Sequence, residues 1–205
     1  SLIYEILNKA GYNCFLGGNI GKPIFTKIKD MKPDDIVVLE MSSFQLMDMD
    51  ISPNVSLVTN MYPDHLNYHR SYEEYQEAKK NIFKYQNEDE KVVLNYDNDI
   101  TSSFAKEVNS KVVFFSSKEK LEDGYIYDNT DGMIKYCKDG IRRHSVHKTQ
   151  IKLRGIHNYE KICAALASPA VFVDVEKAID TIKEFNGVEH RLEFVREINN
   201  VKWYN

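Results

Sequence analysis

The chain has 205 residues, 42% of them hydrophobic and 28% charged, with a formal net charge of -4. That length can bury one sizeable core, and the slight acidity argues against nucleic acid or an anionic membrane as partner. No apolar run approaches the roughly 20 residues that span a bilayer, and the scattered Cys14, Cys137 and Cys163 form neither a zinc pattern nor a disulfide framework, so a reducing cytoplasm is the expected compartment.

Leu2, Ile3, Ile6, Leu7 and Ala10 have helical spacing, and Gly11 is suited to end that helix. Short apolar runs at 12–16, 36–39, 56–58, 92–94 and 112–115 read as strands. Helices are expected between several of them, at 72–85 and about 99–107. Continuous apolar strands alternating with helices predict a mostly parallel sheet flanked by helices, an α/β fold. From Gly124 to about Arg154 the pattern changes. Pieces at 125–127, 133–136 and 141–145, broken by Asn129-Thr130-Asp131-Gly132 and Asp139-Gly140, predict hairpins of a small antiparallel sheet. A helix then carries Ile162, Ala165 and Leu166 inward and ends near Pro169. Another helix spans about 175–185, and Asn199-Asn200 reads as a turn before a last strand at 201–204. The sequence opens inside a helix and stops inside a strand, so a longer parent chain is expected.

Polar residues follow the strands. In open α/β sheets ligands bind beyond the carboxyl ends of the strands. Gly17, Gly18, Asn19, Glu40, Ser42, Ser43, Asn60, His65 and Asn95 are therefore expected on one rim. The Gly17–Pro23 stretch is no Walker loop: it has three residues, not four, between Gly17 and Gly21-Lys22, and Pro23 follows where Ser or Thr is needed. A backbone-rich turn that admits a substrate remains. Glu40 ends what reads as a buried strand, where a carboxylate is costly unless paired or bound to a cation such as Mg²⁺. A helix-capping Glu fits the same spacing.

Ser71 and Glu74 form a capping pattern, and Tyr75, Ala78, Lys79, Ile82 and Phe83 then share the inward helix face. Lys79 is thus a lysine on a buried face, near the loop that carries His65. Burial lowers a lysine pKa, and a neutral amine reacts with CO2 to give a carbamate, a two-oxygen ligand able to hold a second Mg²⁺ with His65. A snorkelling stem, or an ion pair with Glu40 or Asp64, fits the pattern as well. Asn158, after Gly155 and His157, offers a donor and an acceptor suited to a purine edge, or a plain helix cap. Arg191 could clamp a phosphate, or form a surface ion pair.

Several of these segments together resemble the Mur ligase family. Leu39-Glu40-Met41-Ser42-Ser43-Phe44-Gln45-Leu46 is similar to a signature of its D-glutamate-adding branch, and Gly17-Gly18-Asn19-Ile20-Gly21 to its substrate loop. Thr59-Asn60, Asp64-His65 and Tyr75-x-x-Ala78-Lys79 follow the family pattern, as do Gly155-x-His157-Asn158 and Gly187-x-x-His190-Arg191. The resemblance runs end to end, with Lys161 standing where the family usually has a second Asn. It implies a central ATP-binding domain, residues 1–205, with 124–154 as a hairpin-rich subregion. The implied parent is a monomeric cytoplasmic enzyme of peptidoglycan synthesis that joins D-glutamate to UDP-N-acetylmuramoyl-L-alanine through an acyl phosphate. The resemblance assigns Glu40, His65 and carbamylated Lys79 to two Mg²⁺ sites and to catalysis. It assigns Asn158, His157 and Arg191 to ATP, and Gly18, Asn19, Ser42 and Ser43 to the muramoyl substrate. The family's phosphate loop, its Asp-Ser-Lys motif and two further domains would lie outside these residues, so the stretch alone is expected to be inactive. The alternatives are another Mur-type or folylpolyglutamate-type ligase domain, or a non-catalytic nucleotide-binding module.

Overall fold

The computed structural model describes residues 1–19, 23–63, 68–187, 194–198 and 201–204. In chain order it gives α1 (Leu2–Lys9), β1 (Cys14–Gly18), a 3-10 helix at Ile24–Asp30, β2 (Ile36–Glu40), α2 (Ser43–Leu46), β3 (Val55–Val58), α3 (Tyr72–Lys80) and β4 (Lys91–Asn95). Next come α4 (Asp99–Ser103), β5 (Lys111–Ser116), β6 (Gly124–Asp128), β7 (Met133–Lys138), β8 (Ile141–His147), α5 (Ile156–Ala167), α6 (Val175–Glu184), β9 (Phe194–Ile198) and β10 (Val201–Tyr204).

The main sheet runs β3-β4-β5-β6-β7-β8. Its strands are parallel from β3 to β6 and antiparallel from β6 to β8. The hairpins expected from the sequence are present. They extend the parallel sheet through the pairing of Phe115 with Tyr125 rather than standing apart. β1 and β2 form a parallel pair, and β9 and β10 an antiparallel one. The expected turn at Asn199-Asn200 lies outside the described residues.

β4 shows why the sheet is covered on both faces. Its side chains alternate between two cores. Val93 joins Phe115, Ile162, Cys163 and Leu166 on the side of α1, α5 and α6, while Val92 and Leu94 meet Tyr75, Phe83 and Phe104 on the side of α3. A strand with an unbroken apolar run such as Val92-Val93-Leu94 is stable only between two such layers. The β1–β2 pair joins the first core through Cys14, Ile36 and Val38.

Local chemistry sets the helix ends. Ser71 accepts from the Glu74 N–H at 3.2 Å to start α3, and Asn98 accepts from the Thr101 N–H at 3.0 Å to start α4. Both helices are shorter than their periodicity suggests. α3 ends at Lys80, because the Asn81 amide leaves the helix to donate to the Leu46 and Met47 carbonyls at 2.9 and 3.1 Å. α4 yields to a 3-10 turn at Phe104–Lys106, since Thr101, Ser102 and Ser103 all bond backbone carbonyls within the segment.

One buried amide fixes the amino end of the sheet. Gln86 donates to the carbonyls of Pro53 and Lys91 at 2.7 and 2.9 Å, and its oxygen accepts from Ser110 and Ser56 at 2.9 and 3.3 Å. It therefore ties together the starts of β3, β4 and β5.

At the β6–β7 turn, Lys135 reaches Asp128 at 2.8 Å and Asp131 at 2.6 Å. The Lys135 ammonium, then the Thr130 hydroxyl and N–H, hold the Asp128 carboxyl well below the usual carboxylate range. A depressed folded-state pKa contributes stability above the unfolded value, about 3.9 for Asp, and that contribution is lost as pH falls through the folded one. Lys135→Met is therefore expected to lower unfolding free energy at pH 7, with the gap to wild type closing below about pH 4 in urea titrations.

Candidate functional site

The carboxyl ends of β1 and β2 meet at a backbone contact that only glycine permits. Gly18 pairs with Glu40 and has φ 97°. A Cβ there would lie 2.1 Å from the Glu40 carbonyl oxygen. The next N–H, that of Asn19, donates to this same carbonyl at 2.6 Å. Gly18, Asn19 and Glu40 thus form one constrained corner, with the Asn19 and Glu40 side chains exposed. The exposure of Glu40 corrects the expectation of a buried carboxylate. Among the described residues β2 is hydrogen-bonded on one side only, so its end is open to water.

The chain turns directly from Glu40 into α2. Ser42 caps it, accepting from the Gln45 N–H at 3.3 Å, while the Gln45 side chain accepts from the Ser42 N–H at 2.9 Å. Ser43 points the other way. It is 1% exposed, and its hydroxyl lies 2.9 Å from His69 Nε2. His69, also 1% exposed, stacks on Phe44 with ring centroids 5.4 Å apart and meets the Tyr75 edge at the same distance. Its Nδ1 is buried and finds no hydrogen-bond partner among the described residues. His69 thereby joins α2 to the segment that leads into α3. No motif or spacing in the sequence singles it out.

Lys79 sits on α3 as its spacing predicts, but half-buried rather than enclosed, with Nζ 5.8 Å from the Tyr75 ring centroid. The adjacent Lys80 is paired with Glu77 at 2.8 Å and Glu107 at 2.7 Å. His65 and Asp64 lie outside the described residues, as does Arg191.

The ends of β3 and β4 carry a second polar group. Asn95, 1% exposed, donates to Asn60 Oδ1 at 3.1 Å and to Glu160 Oε1 at 3.3 Å, and Asn60 donates to the same Glu160 oxygen at 3.3 Å. Glu160 belongs to α5, whose first turn holds His157 and Asn158. Asn158 is not the helix cap: Gly155, at φ 99°, takes that place. The Asn158 amide donates to the Arg154 carbonyl at 2.7 Å, and His157 is exposed, its ring folded back over Gly155. The structure thus unites Asn60 with Asn95 as expected, and adds Glu160, which the sequence reading passed over because a Glu in a helix ordinarily faces solvent.

Strand-end carboxylate, amide and hydroxyl groups over a parallel sheet make a candidate site of the open α/β class, with the chemistry to suit a polar, charged ligand. A family model described as the Mur ligase middle domain matches residues 1–168. The chain belongs to this family. It is 49% identical over 205 residues to the UDP-N-acetylmuramoylalanine--D-glutamate ligase of Clostridium kluyveri, covering 100% of this chain and 43% of the relative. The enzyme of the same name from Acetivibrio thermocellus is 49% identical over 206 residues, with coverage of 100% and 44%. The chain therefore spans less than half the length of these curated relatives. Among solved structures, a UDP-N-acetylmuramoyl-L-alanyl-D-glutamate--2,6-diaminopimelate ligase superposes with TM-score 0.73 at 21% identity, over 96% of this chain and 45% of that one. The MurF ligase of Thermotoga maritima in complex with ADP gives 0.65 at 21%, over 98% and 48%. These two establish a shared fold.

Gly18 and Gly11 have the same φ, 97°, but nothing lies within 4 Å of a Cβ at Gly11. Gly11→Ala is expected to cost about 1 kcal/mol from backbone strain alone. Gly18→Ala is expected to cost more than about 2 kcal/mol, because strain and a backbone clash add. Denaturant midpoints of the two variants measure the difference.

Proposed function

We propose that this chain is the central, ATP-handling domain of a cytoplasmic, monomeric ligase that joins D-glutamate to UDP-N-acetylmuramoyl-L-alanine in peptidoglycan synthesis. The observation that carries the reading is the 49% identity to two such ligases along the whole chain. In this reading residues 1–205 work as one domain, with 124–154 as its hairpin-rich part. A carboxylate oxygen of the muramoyl substrate attacks the γ-phosphorus of ATP, and ADP leaves. The D-glutamate amine then attacks the carbonyl carbon of the acyl phosphate and gives up a proton. The C–O bond to phosphate breaks, leaving an amide and free phosphate.

Each residue has a role in that sequence. Gly18, Asn19 and Ser42 would orient the muramoyl substrate at the β1–β2 corner, while Ser43, 1% exposed and bound to His69, supports α2 from behind rather than touching the substrate as the sequence resemblance implies. Asn158 and His157 would read the adenine, and Arg191 would approach the ribose and phosphates. The open carboxylate of Glu40 fits a partly hydrated Mg²⁺, which prefers a few oxygen ligands. His65 and Lys79 would hold the second ion, Lys79 as the carbamate that its amine forms with CO2 on release of a proton. The ions would neutralise charge on the transferred phosphoryl group. In phosphoryl transfer such positioning and electrostatics supply most of the rate, so the protein's task is geometric.

Two measurements test this. The full-length gene product is expected to form the amide with stoichiometric ADP and phosphate, and the 205-residue stretch alone to release no phosphate under the same conditions. Lys79→Ala in the full-length protein is expected to lose about a hundredfold or more in kcat. Undiminished turnover would remove Lys79 from the mechanism. A full-length protein that binds nucleotide without making the amide would favour the non-catalytic module.

A further inference from the structure

The clearest unassigned feature is the carboxylate of Glu160. Both its oxygens are committed, and all its partners lie at the ends of strands. Oε1 accepts from Asn60 and Asn95, beyond β3 and at the end of β4, each at 3.3 Å. Oε2 lies 3.1 Å from the Ser117 hydroxyl, just beyond β5. That hydroxyl is also 3.1 Å from Asp97 Oδ2, yet it has one proton to give. Asp97 is already served by the Ser117 N–H at 2.7 Å and by the Ser116 hydroxyl. The Ser117 proton is therefore best used on Glu160. The two Asn amides are orientated by the same closure: Asn95 offers one N–H to Asn60 and the other to Glu160, and its oxygen accepts from the Asp97 N–H at 2.9 Å. Both N–H groups of the Asn95 amide, its oxygen and both oxygens of Glu160 are therefore engaged.

Glu160 lies two residues after Asn158 on α5. At about 100° per residue, fixing one side chain against the sheet fixes the direction of the other about the helix axis. The Asn158 amide is itself held on the Arg154 carbonyl, so the first turn of α5 moves as a unit with the loop before it. A rotation or slide of this helix would carry His157 and Asn158 away from the rim that holds Asn60 and leads to Lys79.

We propose that Glu160 is a positioning residue of the nucleotide site: it locks the first turn of α5 to the ends of β3, β4 and β5 and so sets where His157 and Asn158 meet the base. The inference rests on the ligase reading for the identity of the nucleotide. A role confined to stability would change melting temperature without changing ATP affinity. A positioning role separates the substrates from one another.

The test uses the full-length gene product, with KM for ATP, KM for D-glutamate, kcat, melting temperature and calorimetric ADP affinity measured on each variant. Glu160→Asp keeps the charge and withdraws the carboxylate by one methylene. It is expected to fold and to raise KM for ATP and Kd for ADP several-fold. Glu160→Ala is expected to raise both about tenfold, with kcat within about twofold and KM for D-glutamate unchanged. Glu160→Gln retains an acceptor for Asn60 and Asn95, and is expected to return both constants to within about threefold of wild type. The proposal is overturned if Glu160→Asp binds ADP as wild type does, or if Glu160→Gln is no better than Glu160→Asp. A wild-type protein that makes no amide, while its ADP affinity follows the expected order across the variants, would defeat the ligase reading and keep the positioning role. Amide formation with ATP affinity equal in every variant would do the reverse.

Discussion

Asn95 is the point on which the rim depends. It ends a strand whose central residues, Val92, Val93 and Leu94, are apolar and buried, and it is itself 1% exposed. A buried amide left without partners costs more than a made bond returns, so it must be fully answered or absent. Here its oxygen takes the Asp97 N–H, its nitrogen serves Asn60 and Glu160, and its carbonyl accepts the Thr101 hydroxyl at 2.6 Å. Three elements are thus located by one residue, the loop after β3 and α5 through its side chain and α4 through its backbone carbonyl. Gln86 does the same at the opposite pole, where β4 begins. The strand that runs through the middle of both cores is pinned at each end by an amide, and the apolar residues between are free to pack without having to specify register.

Much of this was legible in the sequence. Runs such as Val92-Val93-Leu94 can be stable only as buried parallel strands, and the switch at Gly124 to alternating pieces broken by Asp-Gly turns foretells the hairpins. Of the residues in the signatures, Glu40 ends β2, Asn60 follows β3, Asn158 lies in the first turn of α5 and Lys79 in the last turn of α3. What could not be read follows from tertiary geometry. The end of α3 was set by Asn81, whose amide bonds a distant segment, and the end of α4 by the hydroxyls of Thr101, Ser102 and Ser103, which bond carbonyls three residues back. Glu40 read as buried because its strand is apolar, but among the described residues β2 is paired on one side and its end opens to water. His69 and Glu160 carry no local signal, since each matters through residues distant in sequence: Ser43 for one, Asn60, Asn95 and Ser117 for the other.

The site is assembled from two groups of opposite character. The corner of Gly18, Asn19 and Glu40 is made by backbone, and its tolerance is steric: one Cβ would disrupt it. The ring of Asn60, Asn95 and Glu160 is made by side chains, and its tolerance is electrostatic. Between them run α2 and α3, joined by the buried contact of Ser43 with His69 and by the Asn81 amide on the Leu46 and Met47 carbonyls. Each half is held by its own contacts, and the joint between them is packed aromatic surface.

The two long edges of the main sheet differ in a way that bears on assembly. β8, at one margin, presents Arg142 and Arg143 to solvent, and charge on a lateral strand discourages another chain from adding to it. β3, at the other margin, is Val55-Ser56-Leu57-Val58, short and almost wholly apolar. Among the described residues β3 has no strand on its other side, so that is where a further parallel strand would pair, whereas β8 is charged against addition. The hairpin end thus carries its own charged boundary, and growth of this sheet has one chemically favoured direction, beside β3.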